Sequence, residues 1–259
     1  MAPARNQVGA HARRAAMLEM IREAGQCAAA DLAEHFGVSG ETVRRDLRAL
    51  ERGGQIERSY GSARALAPST WESRLAAREA LDGEQKHRIA ARAAEFIDDA
   101  TTIFIDEGHL PSLILDHLPG RPLTIVTSSL LSALKAASIP HVTCLQLGGR
   151  VRSVTMGVVD HFGVEMLSGL SIDLAFIGAN GIDENGWMST PDPAVAAMKK
   201  QAIACSRRSV FVGTHAKFAQ TSFVRFAHLA QMQAAVTGSE LSAFKVRQLA
   251  RHEVPIIRA

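Results

Sequence analysis

The sequence predicts an α/β protein in which a small, mostly helical unit precedes a larger domain built on a parallel sheet. Three observations carry that expectation. Between Arg13 and Arg64 no strand-length apolar run occurs before Gln55. From Glu84 onward, short apolar runs alternate with segments of helical periodicity. The chain has 259 residues, 47% hydrophobic and 21% charged, which is ordinary globular composition with room for two unequal domains. The expected division is a first unit over residues 1–64, a connection over 65–83 and an α/β domain over 84–259.

In the first unit, one helix places Met17, Leu18 and Ile21 on a single side and stops near Gly25. A second starts after Ala28, carries Leu32, Ala33 and Phe36 on one face, and ends at Gly37. A third begins at Ser39, an N-cap residue, and its apolar positions Val43, Leu47 and Leu50 recur at i, i+4, i+7. That stripe packs inward, so Thr42, Arg44, Arg45 and Arg48 face outward, with Glu41 suited to the positive end of the helix dipole. Gly53-Gly54 stops this helix, and Gln55 to Gly61 has the length of a short wing carrying Arg58.

Two helices joined by the tight Phe36-Gly37-Val38-Ser39 turn have the dimensions of a helix-turn-helix. A major groove about 12 Å wide admits one helix, and arginine donates two hydrogen bonds to guanine. Ser39 and Thr42, at the helix start, suit phosphate or base edges, and Arg58 suits the phosphate backbone. The alternative is a packing module with a solvated charged face, because Glu41, Asp46 and Glu51 offset most of the arginines.

Total charge adds little, since the net value is only +3, although arginine outnumbers lysine. The N-terminal stretch lacks the apolar run of a signal peptide, and no apolar segment approaches the ~20 residues that span a bilayer, so a cytoplasmic location is expected. Cys27, Cys144 and Cys205 are far apart and odd in number; they read as small buried or half-buried residues, not as ligands or a disulfide framework.

In the second domain a helix containing Ile89, Ala93, Phe96 and Ile97 precedes a strand-like run over 101–106. Further runs at 123–127, 142–147, 172–177 and 209–213 alternate with helices, the mark of a parallel sheet with crossovers. Ligands collect at the carboxyl ends of such strands, so the residues just after each run are the candidates for a site.

The run from Ala30 to Glu51, centred on Gly37-Val38-Ser39 and Arg44-Arg45-Asp46, resembles the DNA-binding signature of the DeoR family of bacterial transcription regulators. The resemblance continues to Phe218 through Lys86-His87-Arg88-Ile89-Ala90, Phe104 to Gly108, Ile125 to Ser128, Leu147 to Arg150, Ile177 to Ile182 and His215 to Phe218. It implies a winged helix-turn-helix whose third helix enters the major groove. It also implies a C-terminal Rossmann-like domain, similar to sugar-phosphate isomerases and CoA transferases, that senses a small phosphorylated sugar or related metabolite. The implied function is that of a repressor of a carbohydrate or related operon, binding double-stranded operator DNA as a dimer or tetramer. Asp46 reads as a structural partner of neighbouring arginines, because a carboxylate facing phosphate is repelled.

Within that domain, Gly108 and Gly148-Gly149 either expose backbone N–H groups to an anion or simply make turns. Lys217, just after a strand, suits a phosphate; Lys199 suits one too, or is a solvated helix residue. Asp106 accepts from sugar hydroxyls or caps the following helix, and Thr127 and Ser128 complete the cradle. His109 and Leu110 stand where the family commonly has two threonines, Ser128 replaces a usual asparagine and Thr214 a usual aspartate. The ligand is therefore expected to be atypical, with His109 binding an anion when protonated, donating from a neutral imidazole, or serving as polar filling.

No nucleotide cofactor or metal is expected. Asn180 to Gly186 is glycine-rich but has neither the order of a dinucleotide fingerprint nor calcium-loop spacing, and reads as a surface loop; no Walker-type lysine motif occurs. The competing functions are an isomerase-like enzyme carrying a DNA-binding module, with Asp106 or Glu107 as base, and a regulator that has lost its effector.

Overall fold

The computed structural model describes residues 10–52, 56–59, 61–65 and 82–259. The chain divides into two compact units, residues 1–78 and 79–259. Apart from Ala65, Asp82 and Gly83, the connection expected over 65–83 lies outside the described residues, as do Gly53, Gly54, Gln55 and Tyr60.

The first unit runs α1 (Ala10–Ala24), β1 (Gln26–Ala28), α2 (Ala29–Phe36), α3 (Gly40–Arg52), β2 (Ile56–Ser59) and β3 (Ser62–Ala65). Its core gathers the apolar stripes of all three helices: Met17, Leu18 and Ile21 from α1, Leu32 from α2, and Val43, Leu47 and Leu50 from α3, closed by Ile56 and Ala63. Gly37 ends α2 in the left-handed region at φ 61°, where a side chain is disfavoured. Ser39 Oγ accepts the Thr42 amide at 3.2 Å, which sets the first turn of α3.

The sequence predicts no strand ahead of the wing, yet β1 joins an antiparallel sheet in the order β1-β3-β2. Cys27 pairs with Ala63 in that register. One exposed and two half-buried residues carry no alternation for a sequence to show; the edge of the β2–β3 hairpin recruits them.

The second unit opens with α4 (Gly83–Ala94), β4 (Thr102–Ile105), α5 (His109–Leu113), β5 (Leu123–Thr127), α6 (Leu130–Ala137) and β6 (Val142–Gln146). The short strands β7 (Arg150–Val151) and β8 (Val158–Val159) form a hairpin, followed by α7 (His161–Ser168) and β9 (Ile172–Ile177). Then come β10 (Gly181–Ile182), β11 (Trp187–Thr190), α8 (Pro193–Ala204), β12 (Ser206–Val212), β13 (Val224–His228), β14 (Ala234–Thr237), α9 (Ala243–Leu249) and β15 (Ile256–Arg258).

Seven of these strands form one parallel sheet in the order β15-β14-β12-β9-β4-β5-β6. Alternate strand residues feed two cores. Ile103, Ile105, Ile125 and Phe176 pack against Ile89 and Ala93 of α4 and Leu110 of α5. Phe104, Ala175, Ile177 and Phe211 pack against Val195 and Met198 of α8 and Leu249 of α9. Burial on both faces explains why these strands read as continuous apolar runs.

The expected strand positions agree with the structure to within a few residues. The sheet also contains β14 and β15, which the sequence reading leaves out, because Ala234 to Thr237 is too small and too short to stand out. Asn180 to Gly186 is corrected in part: only Asp183 to Gly186 is a turn, whereas Gly181 and Ile182 form β10 against β11 and are buried. Gly181 is needed there, since a Cβ would lie 2.5 Å from the Gln220 carbonyl oxygen.

Chain order reverses between β4 and β9, which lie side by side at the centre of the sheet. Crossovers leave that point in opposite directions, so a crevice opens beyond the two strand ends. Asp106 follows one strand and Gly178 the other.

Candidate functional site

In the first unit, α3 presents Arg44, Arg45 and Arg48 to solvent, with Thr42 half-buried beside them. Glu41 lies 3.3 Å from Arg44 and 3.6 Å from Arg48, and all three side chains are more than half exposed. Such exposed pairs are worth ~0–1 kcal/mol and exchange readily for another anion. Arg45 has no ion-pair or hydrogen-bond partner among the described residues. The Ser39 and Thr42 hydroxyls lie 3.0 Å apart at the amino end of the helix.

Asp46 turns away from this face. It is 5% exposed and accepts from Arg13 Nε at 2.7 Å, with Arg14 at 3.9 Å, so its arginine partners come from α1 and not from its own helix. Arg58 on β2 reaches back to Glu51 at 3.5 Å, tying the hairpin to the end of α3.

In the second unit the buried carboxylate of Asp106 lies at the switch point between the ends of β4 and β9. Its Oδ2 pairs with Lys199 Nζ and accepts the Gly178 amide at 2.8 Å; its Oδ1 accepts the Glu107 amide at 2.9 Å. Asp106 thus bridges β4 and β9 across the switch point, and it caps no helix, since Gly108 holds the N-cap position of α5 at φ 117°. Lys199 is buried, not solvated, at 4% exposure.

Thr127 sits one strand over, fully buried, donating to the Ile105 carbonyl at 2.7 Å and accepting the Ser129 amide at 3.0 Å. The Ser128 carbonyl accepts the Val158 amide at 2.6 Å, which holds β8 against the end of β5. Gly148 and Gly149 lie farther out, beyond β6. Gly149 adopts φ 136°, and a Cβ there would lie 2.6 Å from the Val159 carbonyl oxygen, so this glycine is required by the turn into β7. His109 is the first residue of α5 and half-buried. Lys217 is half-buried in a single 3-10 turn after β12, on the other side of β9.

Sequence reasoning missed the partners of Glu107, the carboxylate next to Asp106. Thr155 Oγ1 donates to Glu107 Oε2 at 2.8 Å, and Arg152 approaches Glu107 Oε1 at 3.5 Å and Asp192 Oδ2 at 3.1 Å. Asp192 also caps α8 through the Ala194 amide at 2.8 Å. Asn180 accepts from the Thr190 hydroxyl at 3.1 Å at the end of β9. The Asp192-Pro193 pair is a helix-start signal that was legible in the sequence. Arg152 and Thr155 lie in a hairpin with no periodicity, and no local signal marks them.

The three cysteines are half-buried and free. Burial pushes each thiol above its usual value, aided at Cys27 by the Asp31 charge. Among the described residues no cluster of three His, Cys, Asp or Glu side chains could hold a metal ion, and no helix is long and apolar enough to cross a membrane.

A winged helix-turn-helix joined to a parallel-sheet unit with a polar strand-end crevice defines a two-part transcriptional regulator, one part for DNA and one for sensing. Residues 13–69 match the DeoR-like helix-turn-helix domain and residues 82–239 the DeoR C terminal sensor domain; the chain belongs to the DeoR family. It is 29% identical over 241 residues to the glycerol-3-phosphate regulon repressor of Escherichia coli K12, covering 93% of this chain and 95% of that protein. It is likewise 29% identical to the HTH-type transcriptional regulator GlpR of Haloferax volcanii, covering 89% and 91%. Among solved structures, ribose 5-phosphate isomerase A of Methanocaldococcus jannaschii aligns with TM-score 0.37 and 14% identity over 53% of this chain and 55% of its own. The chain is a DNA-binding transcriptional regulator, and the enzyme alternative is set aside because these full-length relatives are regulators.

Proposed function

We propose that this regulator is a repressor of a carbohydrate-related operon, acting in the cytoplasm as a dimer or tetramer and controlled by a small phosphorylated metabolite. Residues 1–64 read DNA, 65–83 connect, and 84–259 sense the effector and hold the subunits together. The observation that carries the DNA half is the unpaired, exposed Arg45 on a capped helix, flanked by two arginines in exchangeable surface pairs. Arg44, Arg45 and Arg48 contact base edges and phosphates, Ser39 and Thr42 take phosphate at the helix start, and Arg58 steadies the wing beside the backbone. One small head covers little DNA, so paired half-sites supply the specificity.

The effector occupies the crevice at the ends of β4, β9 and β12, with Lys217 and His109 on its rim, Thr127, Ser128, Gly108, Gly148 and Gly149 shaping its walls, and Asp106–Lys199 as its floor. Three glycerol-3-phosphate regulon repressors among the relatives support a phosphorylated ligand. Effector and operator oppose each other through a coupling of ~1–3 kcal/mol that acts equally in both directions.

Selection of bound duplexes from random DNA, followed by displacement with a panel of phosphorylated metabolites, tests both halves. The expected result is a two-fold-symmetric operator and release by one member of the panel, abolished by Lys217→Ala. Failure to bind any duplex at low salt removes the DNA half; release of Lys217→Ala at the wild-type ligand concentration removes the crevice assignment.

A further inference from the structure

Glu107 occupies a place with the chemistry of an anion seat. The 150–159 hairpin brings Arg152 to 3.5 Å from one of its oxygens and the Thr155 hydroxyl to 2.8 Å from the other. Gly157 completes the seat: any Cβ on it would collide with the Glu107 carboxylate. The Arg152 side chain is only 9% exposed and Thr155 is fully buried, so the donors are held in place before any ligand arrives. A planar guanidinium beside a hydroxyl binds carboxylate and phosphate oxygens alike.

Charge decides what such a seat can admit. Asp106, Glu107 and Asp192 bring three carboxylates together around Lys199 and Arg152. A phosphate placed among them without moving a carboxylate meets like charge in a low-dielectric crevice. Asp106 and Asp192 are tied to backbone amides, those of Gly178 and Glu107 for the first and that of Ala194 for the second. Glu107 meets the side chains of Thr155 and Arg152 and is the longest of the three, with the most side-chain torsions through which to turn.

We propose that Arg152, Thr155 and Gly157 form the oxyanion subsite of the effector crevice and that Glu107 is its built-in competitor, displaced when the ligand's phosphate binds. This rests on the ligand-sensing reading above and names the residues that recognise the charged end. Displacing Glu107 frees the hairpin from the end of β4, so occupancy of the seat is felt by β7 and β8.

Calorimetric titration of the full-length protein with inorganic phosphate tests the proposal, with acetate as the carboxylate arm. Glu107→Gln keeps the shape and removes the charge, and is expected to bind phosphate about tenfold or more tightly than wild type, the smaller end of a neighbouring charge's effect. Arg152→Gln is expected to lose the binding. Glu107→Asp, which withdraws the carboxylate by one methylene, serves if the first variant does not fold, and is also expected to bind phosphate more tightly. Acetate gaining as much as phosphate would mark the seat as a carboxylate site and overturn the phosphate assignment. Phosphate affinity equal to or weaker than wild type in the folded Glu107 variant makes Glu107 a hairpin tether and overturns the subsite. The sensing reading fails separately, if no phosphorylated metabolite releases operator DNA from wild type.

Discussion

Replacing Lys199 with Met leaves the Asp106 carboxylate charged and without its cation in a site where the two side chains are 4% and 2% exposed. Removing one member of a buried pair costs ~3–5 kcal/mol, because the survivor keeps its desolvation penalty. Asp106 retains two backbone donors, Gly178 at 2.8 Å and Glu107 at 2.9 Å, and hydrogen bonds to a charged acceptor are each worth ~1.5–3 kcal/mol. The expected loss therefore falls at the lower end, about 3 kcal/mol. Adding Asp106→Asn removes the stranded charge while keeping one acceptor, and should return the loss to about 1–2 kcal/mol. Urea unfolding followed by circular dichroism, on wild type, both single variants and the double variant, gives the coupling directly. A Lys199→Met protein within about 0.5 kcal/mol of wild type, below the loss expected for any buried pair, would refute the argument. So would a double variant whose loss is the sum of the two singles.

Arg45→Ala is expected to weaken operator binding and lower the dependence of log K on log salt by about one, as for the loss of a single phosphate contact, or to relax one base position if Arg45 reads an edge; unchanged affinity at fixed salt excludes it from the interface. Asp173 Oδ2 accepts the amides and hydroxyls of Thr101 and Thr102 at 2.9–3.0 Å, and these bonds, the backbone ones foremost, hold its carboxyl well below the ordinary 3.8. The stabilisation is complete above that ordinary value and fades as pH falls below it toward the folded-state value. The gap in melting temperature between wild type and Asp173→Asn should accordingly be wide at neutral pH and narrow in acid, and a gap independent of pH would count against it. Gly149→Ala must place a methyl 2.6 Å from the Val159 carbonyl oxygen at φ 136°, and is expected to lower stability by about 2–4 kcal/mol; a denaturation midpoint equal to wild type would show that the β7 turn relaxes freely.

The parts legible in advance share a property: each depends on residues near one another in the chain. The stripe Val43, Leu47 and Leu50 lies on one face of α3 because helical geometry puts it there, and the Ser39 cap needs only the Thr42 amide three residues on. The apolar runs 123–127 and 172–177 become β5 and β9 without adjustment, since strands buried on both faces have little freedom of composition. The site is different. Asp106 reads from the sequence as a strand-end residue that meets sugar hydroxyls or caps a helix; it caps no helix, and Lys199, far along the chain, pairs with it. Asp46 reads as a partner of neighbouring arginines, and the ones it pairs with are Arg13 and Arg14 of α1. Glu107 reads as a possible base, and its contacts with Thr155 and Arg152 have no trace in the local pattern.

The sequence by itself determined the division into a helical head and a parallel-sheet domain, the face of α3 that meets solvent, and the strand ends where a ligand can gather. These follow from periodicity, capping and the length of apolar runs, which act over a few residues. Only the tertiary structure decided which charges neutralise one another, that β1 joins the wing, and that β4 and β9 become neighbours at the switch point of the sheet. Ion pairing and strand adjacency connect residues tens of positions apart, and their energy depends on distance and burial that exist only after the chain has closed on itself.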